Sequence, residues 1–250
     1  MKNHFDCPTS LQKTKSLISF VFLFFAAALI TKAQTVTFSG GPSLPYGTYQ
    51  TTNLQLEAPG MAKLGYQVSV LVENNTKGKR ISPYVQFTNN NNKIDQDVLV
   101  KYYGSTGVQV FQNWKQNLLM TGAKYNFFAP GFDLYLKAGV GMAWMNSFGY
   151  SIILSDTTVK PSKAYFVNYN VLKANSLAYN AGIGANIYIR NGLAINFAYD
   201  FLYAAGNYGY EKYTDQLGNV IVAQKKVKND VPLSVGSFTV GLKLLLIEKK

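Results

Sequence analysis

Nucleophilic and metal chemistry leans on histidine and cysteine, and this chain of 250 residues has one of each, His4 and Cys7. Both precede an apolar run from Leu17 to Ile30, broken only by Ser19. Lys13 and Lys15 stand before the run, and Thr31-Lys32-Ala33 places small residues ahead of Gln34. A run of about 14 residues falls short of the roughly 20 that a spanning helix needs. Residues 1–33 are therefore expected to be a cleaved secretory signal peptide. Its removal takes away both His4 and Cys7. No Ser-His-Asp triad, cysteine nucleophile or histidine or thiolate metal site can then be assembled. Carboxylates alone could do acid–base work, but no pair stands out on one face. The expectation is no enzyme, with no catalytic, cofactor-binding or metal-ligating residue.

Three other patterns invite chemistry. Gly139-Val140-Gly141 and Gly182-Ile183-Gly184 hint at a phosphate loop, yet neither completes a G-x-G-x-x-G between strand and helix. Glycine in mid-strand relieves crowding and lets a strand bend. The run from Asn89 to Asp97 offers oxygen ligands but lacks the glycine and terminal glutamate of a calcium loop. It is expected to be a solvated surface loop. Basic residues are dispersed rather than gathered in one stripe, so nucleic acid is not an expected partner. Removing the leader lowers the formal charge from +12 to +9, because Lys2, Lys13, Lys15, Lys32 and Asp6 leave with it.

The elements behind these residues have period two. In 177–189, Leu177, Tyr179, Ala181, Ile183, Ala185, Ile187 and Ile189 share one face. Asn180, Asn186 and glycines share the other. Asn191-Gly192 follows, a dipeptide suited to a tight hairpin. Strands are predicted at about 34–44, 61–72, 80–88, 114–127, 132–145, 175–190, 192–204 and 234–247. Pro83 weakens the third. Connections 73–79, 128–131 and 191 are short, whereas 45–60, 89–113, 146–174 and 205–233 are long. Antiparallel neighbours put all the long ones at one end.

The two faces choose the solvent. Leu, Ile, Val, Phe and Tyr fill one face of the stronger strands; Gly, Ala, Asn, Asp and Lys fill the other. Eight strands enclose only enough room for side chains, and a dry soluble core of Asn and Lys would be poor. The fold class expected is all-β, an eight-stranded antiparallel up-and-down transmembrane β-barrel. Closure leaves no edge strand in lipid. Charges predicted to face a small hydrated lumen are Lys124, Asp133, Lys137, Arg190, Asp200 and Lys243, either as an ion-pair network or as independently hydrated groups. Aromatic residues near strand ends, including Tyr125, Phe127, Trp144, Phe148 and Tyr203, match interfacial girdles.

The chain from about 34 to 250 resembles the outer-membrane β-barrel domain proteins related to small OmpA/OmpX-type barrels, especially the variety common in Bacteroidetes. The resemblance rests on Lys32-Ala33-Gln34, the stretch Ser39-Gly40-Gly41-Pro42-Ser43-Leu44-Pro45, Gly60-Met61-Ala62-Lys63-Leu64-Gly65-Tyr66, and Gly241-Leu242-Lys243. These motifs are diffuse and speak to fold. Such barrels usually end on an aromatic residue read by the insertion machinery, whereas this chain ends Leu246-Ile247-Glu248-Lys249-Lys250. The resemblance implies the bacterial outer membrane as location, with its lipids and the barrel-assembly machinery as partners.

The long connections suggest a task. Tyr165, Tyr169, Tyr208, Tyr210 and Tyr213 offer rigid contact area with polar tips. Lys225, Lys226 and Lys228 attract anions. Surface contact, with anionic glycan or lipopolysaccharide headgroups as ligand, is the expected role, against plain solvated loops with extended hairpins. A narrow small-solute or ion channel and a soluble secreted barrel holding a hydrophobic ligand are the alternatives.

Overall fold

A computed structural model describes residues 33–52, 60–74, 80–103, 107–156, 163–206, 210–214, 220–226 and 231–248. The predicted signal lies outside them except for Ala33, which opens the first strand. In chain order the strands are β1 (Ala33–Pro45), β2 (Ala62–Asn74), β3 (Ile81–Ile94), β4 (Gln109–Gln112), β5 (Trp114–Ala129), β6 (Phe132–Asn146), β7 (Gly149–Asp156), β8 (Lys163–Tyr169), β9 (Lys173–Arg190), β10 (Leu193–Ala204), β11 (Tyr210–Thr214), β12 (Val220–Lys226) and β13 (Leu233–Glu248). Among the described residues an α-helix, α1 (Gln96–Tyr103), lies between β3 and β4, and a 3-10 turn (Gly47–Tyr49) follows β1.

Eight strands close an antiparallel barrel in the order β1-β13-β10-β9-β6-β5-β3-β2. Register fixes its size. From Gly40, paired residues lead through Val68 and Asn89 to Asn117. The other way round they lead through Val240, Phe197, Ala185 and Leu134 to Phe127. The two routes reach β5 ten residues apart. With eight strands, that shear tilts them by about 40° and sets a backbone radius of about 8 Å. Such a cylinder is filled by its own side chains.

The alternation is inverted relative to a soluble barrel. Leu136 is 49% exposed, Ile183 54% and Val240 56%, all facing outward. Asp133, Tyr135 and Lys137 on β6, and Asn196 and Asp200 on β10, point inward and are buried. From Phe132 to Trp144 the apolar outward face of β6 spans twelve residue steps. That is about 40 Å of strand, or about 30 Å of height at this tilt, enough for the apolar band of a transmembrane barrel.

The short turns follow their residue types. Pro130-Gly131 joins β5 to β6 with Gly131 at φ 84°, the position where a type II turn needs glycine. Gly192 has φ 82° beside a register shift in the β9–β10 hairpin, a glycine bulge rather than a turn with two positive φ angles. Pro83 lies just past the last β2–β3 pair, Glu73–Tyr84, so it leaves that ladder intact.

Two expectations need correction. The asparagine run is not a loop: Asn89 to Asn92 continue β3, which ends at Ile94. Amides at Asn90 and Asn92 reach inward partners, which holds this polar stretch extended. The long connections also contain more than simple loops. Strands β4, β7, β8, β11 and β12 form a second antiparallel sheet in the order β12-β11-β8-β7-β4. Each adjoins in sequence the barrel strand β5, β6, β9, β10 or β13, and the order of the five repeats that of the wall. Among the described residues, five of the eight staves thus have a counterpart above the loop-side rim, and β1, β2 and β3 do not. Helix α1 packs on this sheet through Leu99, beside Val108, Tyr150 and Ile152.

Candidate functional site

The lumen gathers the charged side chains. Lys124 and Lys137 are paired residues on neighbouring strands, both turned inward. Like charges directly opposite repel, and the structure separates their partners. Lys124 meets Glu73 Oε2 at 2.6 Å, while Lys243 meets Glu73 Oε1. Thr35 also donates to Glu73 at 2.9 Å. Lys137 turns the other way, to Asp200 at 2.9 Å and Gln86 Oε1 at 2.9 Å. The Lys124 ammonium lies 3.8 Å from the centre of the Tyr135 ring, a cation–π contact in a dry setting.

Glycines make this reach possible. Lys137, Gly182 and Asp200 lie on one cross-strand row. A Cβ on Gly182 would fall on the Asp200 carboxylate and crowd the Lys137 stem. Gly184 is covered by the Tyr135 ring, and a Cβ on Gly139 would lie 2.5 Å from the Tyr84 hydroxyl and 2.7 Å from Asn180. Gly139, Gly182 and Gly184 therefore clear room for lumen side chains, whereas Gly141 lets the Leu119 backbone approach.

Among the predicted lumen charges, Lys124, Lys137, Asp200 and Lys243 are brought together as ion pairs. Asp133 is buried nearer the short-turn rim, where the Tyr188 hydroxyl donates to it. Arg190 is a correction: it is exposed at the end of β9. The β9–β10 register shift falls beside it, so simple alternation no longer aims its side chain inward. The residue that sequence reasoning missed is Glu73, 1% exposed and bound by two lysines. Its signal was alternation from Gln67 through Ser69 and Leu71, carried one step past the predicted end of the strand at 72.

The lumen is also less hydrated than expected. The void among Thr37, Gln86, Lys124, Lys137 and Asp200 measures about 10 Å³, the lower limit for one water. Toward the loop side the interior turns apolar. Trp114, Leu118, Met120, Met145, Leu202 and Leu233 form one buried cluster. Tyr49 and Trp114 meet edge-on at 5.2 Å, Trp114 and Phe148 at 5.4 Å, and Phe148 stacks on Tyr150 at 5.8 Å. Phe148 thus belongs to this stopper rather than to an interfacial girdle. The Trp114 indole N–H donates to the Gly60 carbonyl at 2.7 Å, and Gln116 donates to the Tyr49 hydroxyl at 2.6 Å. Charges close one half of the lumen and aromatic packing closes the other.

For the predicted contact residues, Tyr208 and Lys228 lie outside the described residues. Backbone geometry places Tyr165 and Tyr169 on β8, Tyr210 and Tyr213 on β11, and Lys225 and Lys226 on β12. The outer sheet therefore brings together segments from separate loops, with Tyr213 paired to Tyr169.

No family model matches the chain, and no curated protein sequence matches it. Solved structures do. A major outer membrane protein from Thermus thermophilus superposes with a TM-score of 0.53 at 12% identity, covering 86% of this chain and 100% of that one. Neisserial surface protein A gives 0.47 at 11%, covering 85% and 97%. The attachment invasion locus protein of Yersinia pestis gives 0.40 at 11%, covering 86% and 97%. The first likeness, with the closed register and the inverted faces, settles the architecture: the chain has the eight-stranded antiparallel barrel fold seen in bacterial outer membrane proteins.

Proposed function

We propose that this chain is a non-enzymatic integral protein of the bacterial outer membrane, working by surface contact through its outer sheet. The observation that carries this reading is the filled lumen beneath a sheet built on five of eight staves. An interior held by Glu73–Lys124–Lys243 and Lys137–Asp200, and stoppered by Trp114 and its neighbours, argues against an aqueous route for solutes among the described residues. The outer sheet is what remains available to a partner. Its Tyr- and Lys-bearing strands favour an anionic glycan or lipopolysaccharide headgroup as ligand. Barrel lipids and the barrel-assembly machinery are the other partners this reading requires.

Deleting 210–228 removes β11 and β12 while leaving every barrel strand. A heat-modifiable band on a gel would show that the barrel still folds. Binding of cells to an anionic-glycan surface should then fall at least severalfold. Unchanged binding would defeat the contact role. Planar-bilayer recordings of the intact protein should show no stable open level, and steady solute-selective conductance would favour a channel instead.

A further inference from the structure

The outward face of the barrel is not uniform near its loop-side rim. Across β3, β5, β6 and β9 the apolar face ends at one cross-strand row, Phe87, Leu119, Met142 and Leu177. The next outward row is Asn89, Asn117, Trp144 and Asn175. The row beyond it is Tyr66, Asn91, Lys115, Asn146 and Lys173, continuous over five strands. Lys93 follows Asn91 on the same outward face. No aspartate or glutamate occupies either row.

These polar groups do not share the neutralised state of the lumen charges. Lys93, Lys115 and Lys173 are exposed, and among the described residues no carboxylate pairs with them. Lys63, nearby on β2, is by contrast held by Asp95 at 2.8 Å and Asp97 at 3.6 Å. The amides are ordered against each other: Asn89 donates to Asn117 at 2.7 Å and Asn91 to the Tyr66 hydroxyl at 3.4 Å. Paired strands lie about 5 Å apart, so Lys115 and Lys173, flanking Asn146, stand about 10 Å apart at the backbone. Their side chains can converge between them. Trp144, 40% exposed one row below, marks the edge of the apolar band. The opposite face at this rim is different, with Tyr46, Tyr199, Phe201 and Phe238 in mutual contact.

The geometry points to a binding site for the phosphate headgroup of an anionic lipid on the β3–β5–β6–β9 face, with Lys93, Lys115 and Lys173 as the cations. The inference rests on the transmembrane placement proposed above. Charge complementarity selects an anion. Continuity with the apolar band selects one carried on acyl chains, since these lie against Leu119, Met142 and Leu177 while the headgroup meets the lysines and amides. Asparagine nitrogens supply the neutral donors that phosphate oxygens need alongside the ammonium groups.

Trp144 is the reporter. The mature chain is reconstituted into phosphatidylcholine vesicles whose acyl chains are brominated, and tryptophan fluorescence is read. Quenching is expected because Trp144 faces outward, with the buried Trp114 as constant background. A small fraction of brominated phosphatidic acid is then placed among unbrominated phosphatidylcholine. It should quench beyond its mole fraction. In K93Q/K115Q/K173Q the relative binding constant for phosphatidic acid should fall by about fivefold per lysine. K101Q, on exposed α1, should leave it unchanged. An undiminished preference in the triple variant, or equal loss in K101Q, overturns the site. No quenching by brominated phosphatidylcholine overturns the membrane placement, and the site with it.

Discussion

At the short-turn end of the lumen, five charged side chains on β2, β5, β6, β10 and β13 are locked into ion pairs by one another. At the loop end, Trp114, Leu118, Met120, Leu202 and Leu233 close the same cylinder without a formal charge. The walls are built from the same strands at the same radius, yet the two ends fail in different ways. Apolar packing loses free energy by degrees, through area and cavity volume. A desolvated ion network fails abruptly, because removing Glu73 strands Lys124 and Lys243, and removing Lys137 or Asp200 strands its partner. The charged half therefore ties together strands that lie two apart around the wall, and the apolar half tolerates repacking.

The sharpest way to break this contrast is Glu73→Gln. It leaves Lys124 and Lys243 buried with no carboxylate between them, and should cost about 4 kcal/mol. Urea titration of the folded barrel in lipid would show the fall in midpoint. Adding Lys124→Met should restore only part of the loss, because Lys243 stays buried without its carboxylate but no longer faces a second lysine. If Glu73→Gln left the midpoint unmoved, the network would not be holding the barrel.

In the apolar half, Trp114→Ala should cost about 3 kcal/mol by cavity formation and loss of the bond to Gly60. Trp114→Phe should recover over half of that, and such graded recovery is the signature of packing. An all-or-none response would erase the contrast. The same variant in planar bilayers should show brief conductance flickers rather than a stable pore, since the charged half stays closed.

The difference between the halves also explains what could be read from the residues. Inversion of the faces was legible in 132–145 and 177–204, because Leu136, Ile183 and Phe197 alternate with Lys137, Gly182 and Asn196 over many positions. Which inward residues pair was not legible. Lys124 and Lys137 sit opposite each other, and nothing local says that one turns to β2 and the other to β10. Glu73 was lost because Asn74, Asn75 and Gly78 read as a turn, while the strand runs through Asn74. Asn89 to Asn92 read as a loop by composition; hydrogen bonds to Ser43 and Gln116, distant in sequence, override that preference. The outer sheet pairs short strands from three separate connections, a long-range arrangement that period alone does not reveal.

Gly182→Ala sharpens the comparison at smaller scale. The added methyl meets Asp200 and the Lys137 stem, so the ion pair must shift. A cost of about 2 kcal/mol is expected in the urea midpoint, as for other overpacked sites. Placing Asp200→Asn in the same background should change the midpoint by less than the sum of the two single effects, because both act on one pair. Additive losses would mean that the glycine serves the backbone and not the pair.

The smallest expected effect is at Arg190, and it tests the boundary of the charged half. Arg190 shares sequence parity with Asn186 and Tyr188, and was expected in the lumen with the other charges. The register shift at the β9–β10 turn and its exposed position separate it from Asp133, which is satisfied instead by the Tyr188 hydroxyl. Arg190→Ala should therefore change stability by no more than about 0.5 kcal/mol, the range for an exposed site without a buried partner. Tyr188→Phe, which strips the donor from a buried carboxylate, should cost more, about 1–3 kcal/mol. If Arg190→Ala were the more damaging of the two, the guanidinium rather than the phenol would be holding Asp133. The ion-paired half of the lumen would then extend to the short-turn rim.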